Sequence, residues 1–478
     1  MSARVVVVGA GMGGLSCAAY LAKHGLEIEI VEASPGAGGL AAPFEAGGLR
    51  FDGGPYILLD RPGLAWAFAQ LGLDVSRDLE LVRVEDVYEV RAAGSPAVRI
   101  RADLDETADG LERAFPGSAK AYRAFVAEMR AAHGRLAPML TSDAPGAWTL
   151  LSTGAFRALG TLLRPLGSLL RRTGLPEPVQ HALGIWTHVA GQKLDEAPAP
   201  LAFVPALIHT HGCYVPRGGV GAVSERAFEA ARAAGVRFRF ETEVERVQVE
   251  RGRAVGVRLT TGEDLRADAV VSNASGVGTL LELAAGESGL DDAVRKLPLQ
   301  SPGVAAFLVL RRKAEPPYLR FWRKPEDAEA PTRLLVQPSV VSPAHDGGRV
   351  PARLVAPLAH TISEGLRGDG QDALLERALS ELATDEDLGP FEVVARRTPV
   401  LYGARHHLYR DSMNPVMTAA FMRAGRLPHR LAKPVGLYLV GSSTHPGQWV
   451  SFCAISGILG ARKLLADLAI SPMPLVEA

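Results

Sequence analysis

Three glycines near the start of the chain have the spacing that a phosphate group needs. Gly9, Gly11 and Gly14 form a G-x-G-x-x-G turn directly after the run Arg4-Val5-Val6-Val7-Val8. Gly9 permits the tight turn, and Gly11 has no side chain to keep a pyrophosphate off the backbone. Gly14 lets the next helix pack close to its strand, and Gly13 adds a further small residue to the same turn. A helix beginning there turns free N–H groups toward the anion. Glu32 lies eighteen residues past Gly14, at the end of a second apolar run. A carboxylate at that point can accept hydrogen bonds from both hydroxyls of an adenosine ribose. Glycine-rich turns are common in plain βαβ units. Strand, turn, helix and acid in this order point to a dinucleotide instead.

The elements that must position these residues read as a short βαβ unit. Four consecutive valines suit a strand buried on both faces. Residues 15–24 read as a helix closed by Gly25, and residues 26–31 as the second strand. Two further glycine clusters follow: Ala33-Ser34-Pro35-Gly36-Ala37-Gly38-Gly39-Leu40, and Phe51-Asp52-Gly53-Gly54-Pro55-Tyr56. Several backbone loops within fifty residues suit a long cofactor touching more than one turn, which favours FAD over NAD. Near the other end, a strand at 435–441 closes on Gly441 and Ser442. It leads through Thr444-His445-Pro446-Gly447-Gln448-Trp449-Val450 to a final helix ending near 468. A second helix start there offers N–H groups to phosphate and to a flavin ring.

Composition narrows the function class. With 478 residues and 47% hydrophobic residues, the chain has core material for two intertwined or successive domains. Formal net charge is zero, so nucleic acid is not an expected partner. Cys17, Cys213 and Cys453 are too scattered for a disulfide framework or a C-x-x-C metal site. That pattern suits a reducing, cytoplasmic setting and no metal. The first strand begins at residue 4, which leaves no room for a signal peptide, and no apolar run is long enough to span a bilayer.

The opening fingerprint, the Gly38-Gly39 loop, Phe51-Asp52-Gly53-Gly54-Pro55, Tyr214-Val215-Pro216-Arg217-Gly218-Gly219 and the Thr444-His445-Pro446-Gly447 turn together resemble the FAD-dependent amine-oxidase superfamily. The Thr-His-Pro-Gly turn resembles its bacterial phytoene desaturase branch most. The resemblance implies an α/β fold: a Rossmann-type FAD-binding domain of glutathione-reductase type with an interleaved α+β substrate domain. It places the FAD domain at 1–75, 212–290 and 431–470, and the substrate and membrane-associating domain at 76–211 and 291–430. Cofactor contacts are then expected at Gly9, Gly11, Gly13, Gly14, Glu32, Ala33, Gly38, Gly39, Leu40, Gly53, Gly54, Pro55, Tyr56, Val244, Gly441, Ser442, Trp449 and Val450. Leu40 stands where the branch usually carries Arg. Ser442 replaces an acid found in many members, and bulky residues at 448–452 replace a small, glycine-rich stretch.

The implied activity is desaturation of a carotenoid-type or other isoprenoid polyene by hydride transfer to the flavin, with quinone or oxygen as electron acceptor. The altered stretch around Trp449 keeps a polyene isomerase, saturase or oxygenase open, as well as a soluble oxidase of an amine or natural-product intermediate. His445, beside the flavin by its motif, and His188, in the segment corresponding to the family's cavity-lining helix, are the candidate bases. Each has a plainer reading, as a turn-holding hydrogen bond and a core residue respectively. Residues 156–175 show leucines at helical spacing with Arg157, Arg164, Arg171 and Arg172 opposite, interrupted by Pro165. Such a helix either packs on its own domain or lies in a membrane interface. The resemblance favours peripheral membrane association.

Overall fold

The computed structural model describes residues 2–142, 147–158, 160, 164–311, 314–325, 332–341, 348–385 and 388–476. Its first sheet has five parallel strands in the order Leu437–Leu439, Ala269–Ser272, Arg4–Val8, Glu27–Val31 and Arg237–Arg239. The valine run sits at its centre and alternates between two cores, as a strand must. Val5 and Val7 pack among residues of three helices, Met12–Lys23, Gly221–Ala233 and Val450–Asp467. Val6 and Val8 pack on the other face against a layer that includes Val244, Val257 and Leu280. Both faces are covered, which is why the run is apolar throughout.

Residues 253–259 do not join this sheet. Arg253–Leu259 is the middle of a separate three-stranded antiparallel sheet with Val244–Glu250 and Asp264–Arg266. The short connection at Arg251 and Gly252, both at positive φ, folds the strand back on its neighbour.

Glu29 ties the edge of the parallel sheet together. Its nearly buried carboxylate accepts from Arg4 Nη2 at 2.8 Å and Arg239 Nε at 2.5 Å, from the two neighbouring strands. Burial raises its pKa, but Arg4 and Arg239 outweigh this and hold it below the ordinary carboxylate value. Its stabilisation is therefore complete above the unfolded-state pKa and disappears as pH falls through the folded-state value. Glu29→Gln is expected to lower stability by about 1–2 kcal/mol at neutral pH and to flatten the acid side of the melting-temperature-versus-pH profile.

The second large sheet has seven strands, in the order Phe391–Arg397, Val304–Leu310, Val350–Ala356, Arg333–Val336, Leu319–Trp322, Asp86–Arg91 and Val98–Arg101. Helix Asp369–Leu382 covers one face through Leu374, Leu375, Leu379 and Leu382. On Val350–Ala356, the residues Val350, Ala352, Leu354 and Ala356 face that helix. Arg353 and Val355 therefore point to the opposite side.

The stretch 156–175 is not one amphipathic helix. It contains a short turn, Ala155–Ala158, and a helix, Leu166–Arg171, starting just after Pro165, which cannot donate a helical hydrogen bond. Leu159, Leu162 and Leu163 lie outside the described residues. Leu166, Leu169 and Leu170 are buried in the core, whereas Phe156 is exposed. Residues 180–194 are likewise divided, into Glu177–Leu183 and the turn Ile185–Ala190, separated by Gly184.

Candidate active site

The glycine turn is built to a closeness that no other residue type permits. Gly9 has φ +94°. A Cβ on Gly11 would lie 2.6 Å from Asn273 Nδ2, and one on Gly14 would lie 2.2 Å from the Gly9 carbonyl oxygen. A Cβ on Gly13 would lie 2.7 Å from Gly441 Cα, so the two ends of the chain meet here. No side chain caps the N-terminus of helix Met12–Lys23, whose first turn keeps its N–H groups for an anion. Glu32 Oε2 accepts from Ala10 N at 2.7 Å and Oε1 from Ser34 N at 2.8 Å. These bonds fix the carboxylate at the end of its strand, and each oxygen retains a lone pair for a ribose hydroxyl.

The second glycine loop lies on the first. Gly38 N donates to the Ala10 carbonyl at 2.8 Å, and both Gly38 and Gly39 take positive φ. The third loop is held by Asp52, whose oxygens accept from Val220 N at 2.8 Å and Gly221 N at 2.9 Å. At the far end of the chain, Gly441 N donates to Ser456 Oγ at 2.8 Å, and Ser442 Oγ donates to Asn414 Oδ1 at 2.7 Å. The closing helix Val450–Asp467 starts without a side-chain cap at Trp449, whose ring stacks on Phe452 at 4.9 Å between centroids.

These loops enclose one continuous cavity of about 520 Å³. Of the expected cofactor residues, Gly9, Gly11, Gly13, Glu32, Ala33, Gly38, Gly39, Leu40, Gly54, Pro55, Tyr56, Val244, Ser442, Trp449 and Val450 line it. Gly14, Gly53 and Gly441 stand one layer behind: Gly14 against Gly9, Gly441 against Gly13 and Asn273, and Gly53 with its carbonyl bonded to Arg397. One end of the cavity, at Glu32, Val244 and His407, is polar. The other, at Ile57, Trp186, Leu201, Val204 and Val355, is largely apolar. The uncapped helix start, the Cβ-free cradle and the acid at the polar end suit the pyrophosphate and adenosine of FAD.

His445 is not presented to the cavity. His445 Nε2 bonds the Met139 carbonyl at 2.9 Å and is absent from the described lining. A carbonyl only accepts, so that nitrogen carries the proton and is engaged in holding the turn. The backbone of His188 lies in the turn Ile185–Ala190, and its side chain is outside the described residues.

Several lining residues escaped the sequence reading. Asn273 wedges between the glycine turn and Gly441. Asp60 accepts from Gly63 N at 3.0 Å and Ser451 Oγ at 2.9 Å, and burial raises its pKa despite these bonds. Its signal was the helix-starting order Asp60-Arg61-Pro62, which marks a cap and not a site. Arg353 interrupts the apolar strand Val350–Ala356, a visible anomaly. Arg397 ends another strand and has no local signature.

The fold and cradle define a flavin-binding oxidoreductase. Residues 12–465 match the model of the flavin containing amine oxidoreductases, and the chain belongs to that family. It is an FAD-dependent oxidoreductase. It is 27% identical to a zeta-carotene-forming phytoene desaturase of Myxococcus xanthus, over 97% of this chain and 94% of that one. It is 25% identical to a 4,4'-diapolycopene oxygenase of Methylomonas, over 97% and 98% of the two chains. An oxidoreductase from Methanosarcina mazei shares the fold with a TM-score of 0.64 at 18% identity, covering 97% of this chain and 100% of that one.

Proposed function

We propose that the chain desaturates an elongated apolar polyene of carotenoid or related isoprenoid type. The observation that carries this reading is the single cavity running from the FAD cradle into a chamber walled by Ile57, Leu201, Val204 and Val355. The carotenoid-converting relatives support it. FAD held by the glycine turn and Glu32 would supply the hydride acceptor for the carbon that the apolar walls position. The apolar walls orient the chain and exclude water. A proton must leave the adjacent carbon as the new double bond forms. Among the described lining residues of the apolar end, Asp60 is the carboxylate available to take it. Asp60→Asn is expected to retain flavin and to lose roughly a hundredfold in turnover; unchanged turnover would remove Asp60 from the chemistry.

Incubating the purified enzyme with phytoene in liposomes, with a quinone or oxygen as acceptor, should give products lighter by pairs of hydrogens. The Methylomonas relative keeps oxygenation as the second reading, and product mass separates it: an added oxygen in place of lost hydrogens.

The substrate's solubility makes peripheral membrane association part of the same proposal. Trp148 is 80% exposed, Leu151 60% and Phe156 44%, with the Arg157 guanidinium beside the Phe156 ring. Exposed aromatic and aliphatic residues next to a cation suit a lipid interface. Among the described residues no helix is long and apolar enough to cross a membrane. The triple substitution Trp148→Ser, Leu151→Ser and Phe156→Ser is expected to abolish flotation with anionic liposomes while leaving flavin content intact.

A further inference from the structure

Two guanidiniums line the cavity, and among the described residues neither forms a direct ion pair with a carboxylate. Arg353 is 4% exposed. Its Nη1 donates to the Asp52 carbonyl at 2.6 Å, and its guanidinium lies 5.2 Å from the centre of the Tyr56 ring. Arg397 donates from Nη1 to the Gly53 carbonyl at 2.5 Å and from Nη2 to the Pro302 carbonyl at 3.1 Å, and sits 4.7 Å from the Tyr402 ring centre. Among the described residues, the buried Nε of each has no partner.

Among the described residues, backbone carbonyls and ring faces are what they bond. Asp52, the carboxylate whose charge Arg353 feels, has one oxygen on Val220 N and the other on Gly221 N. Asp60 is likewise held by Gly63 and Ser451. Burial lowers the pKa of both arginines, with Arg397 brought to about 10, and a guanidinium keeps its proton at neutral pH. Two like charges near one another in an apolar chamber are costly unless an anion joins them. A hydrocarbon polyene has nothing to offer them. A carboxylate does, because a guanidinium presents its N–H groups in a fork that matches the two oxygens.

We propose that Arg353 and Arg397 form a carboxylate subsite, and that the chain acts on an elongated apolar molecule bearing an acid group. This deepens the polyene reading and rests on it only for the identity of the cavity as the substrate site.

The test uses the FAD-loaded enzyme with cis-parinaric acid, a conjugated fatty acid whose fluorescence rises in apolar surroundings, and its methyl ester. The acid is expected to bind roughly ten- to a hundredfold more tightly than the ester. Arg353→Gln and Arg397→Gln should each erase that preference and leave ester binding unchanged, and Arg353→Lys should restore part of it. An unaltered flavin spectrum and unaltered ester affinity together report intact folding in each variant. Equal binding of acid and ester by the native enzyme would overturn the subsite. So would variants that weaken both ligands alike, or that shift the flavin potential while the acid preference persists, since the cations would then serve the cofactor. Desaturation fails independently: acid preference without oxidation of any polyene removes the reaction and leaves the subsite, and oxidation without acid preference does the reverse.

Discussion

Asp52→Ala is expected to melt several degrees lower and to purify without its flavin. The carboxylate caps two backbone N–H groups at the start of helix Gly221–Ala233. Its removal leaves both buried and unpartnered, at about 1–3 kcal/mol each. It also takes away the carboxylate charge that Arg353 feels. Loop, helix and sheet therefore loosen together, and the loop contains Gly54, Pro55 and Tyr56 of the cavity wall. Asp52→Asn, with one acceptor oxygen in place of two, falls between. Flavin content by absorbance and the thermal midpoint check both. A yellow Asp52→Ala protein with the native midpoint would refute the role assigned to this carboxylate.

Gly14→Val has an effect of similar size by a different route. Its Cβ would stand 2.2 Å from the Gly9 carbonyl and 3.1 Å from Asn273 Cβ. The first neighbour is backbone of the glycine turn, so relief requires moving the turn itself. Gly457→Val repeats the experiment from the other side, with its Cβ 2.3 Å from the Gly13 carbonyl and 2.9 Å from Cys17 N. Overpacking of this kind costs about 3 kcal/mol or more, a large share of the roughly 5–15 kcal/mol that holds a domain folded. Both variants are expected to be flavin-free and aggregation-prone. Gly36→Ala is the control: a Cβ there meets nothing within 4 Å, and flavin should be retained.

The phosphate cradle was legible because it is local. Turn, helix start and acid lie within 32 residues, and each glycine answers a steric demand made by its near neighbours. The flavin end was legible only through motif resemblance, since Gly13 meets Gly441 across the whole length of the chain. Of the far chamber, only the segment around Trp186 was legible, and that through motif resemblance. Asp60, Arg353 and Arg397 reach it from a helix cap and two strands of the seven-stranded sheet, and no sequence period links them. Residues 156–175 show a related limit. Helical spacing of leucines marks a buried face, but it does not say whether core or lipid covers it, and Leu166, Leu169 and Leu170 turned inward. His445 was singled out by its place in a motif, and its hydrogen bond to Met139 is a contact between residues 306 positions apart.

The central claim is that the cavity delivers a polyene to the flavin for oxidation. Anaerobic mixing of the FAD-loaded enzyme with phytoene-bearing liposomes, followed by the yellow absorption of the oxidised flavin, tests it most directly. The account predicts that the absorption bleaches as double bonds are introduced, and that it returns when a quinone or oxygen is admitted. A flavin that stays oxidised with every polyene offered, hydrocarbon or acid, and bleaches instead with a simple amine would contradict it.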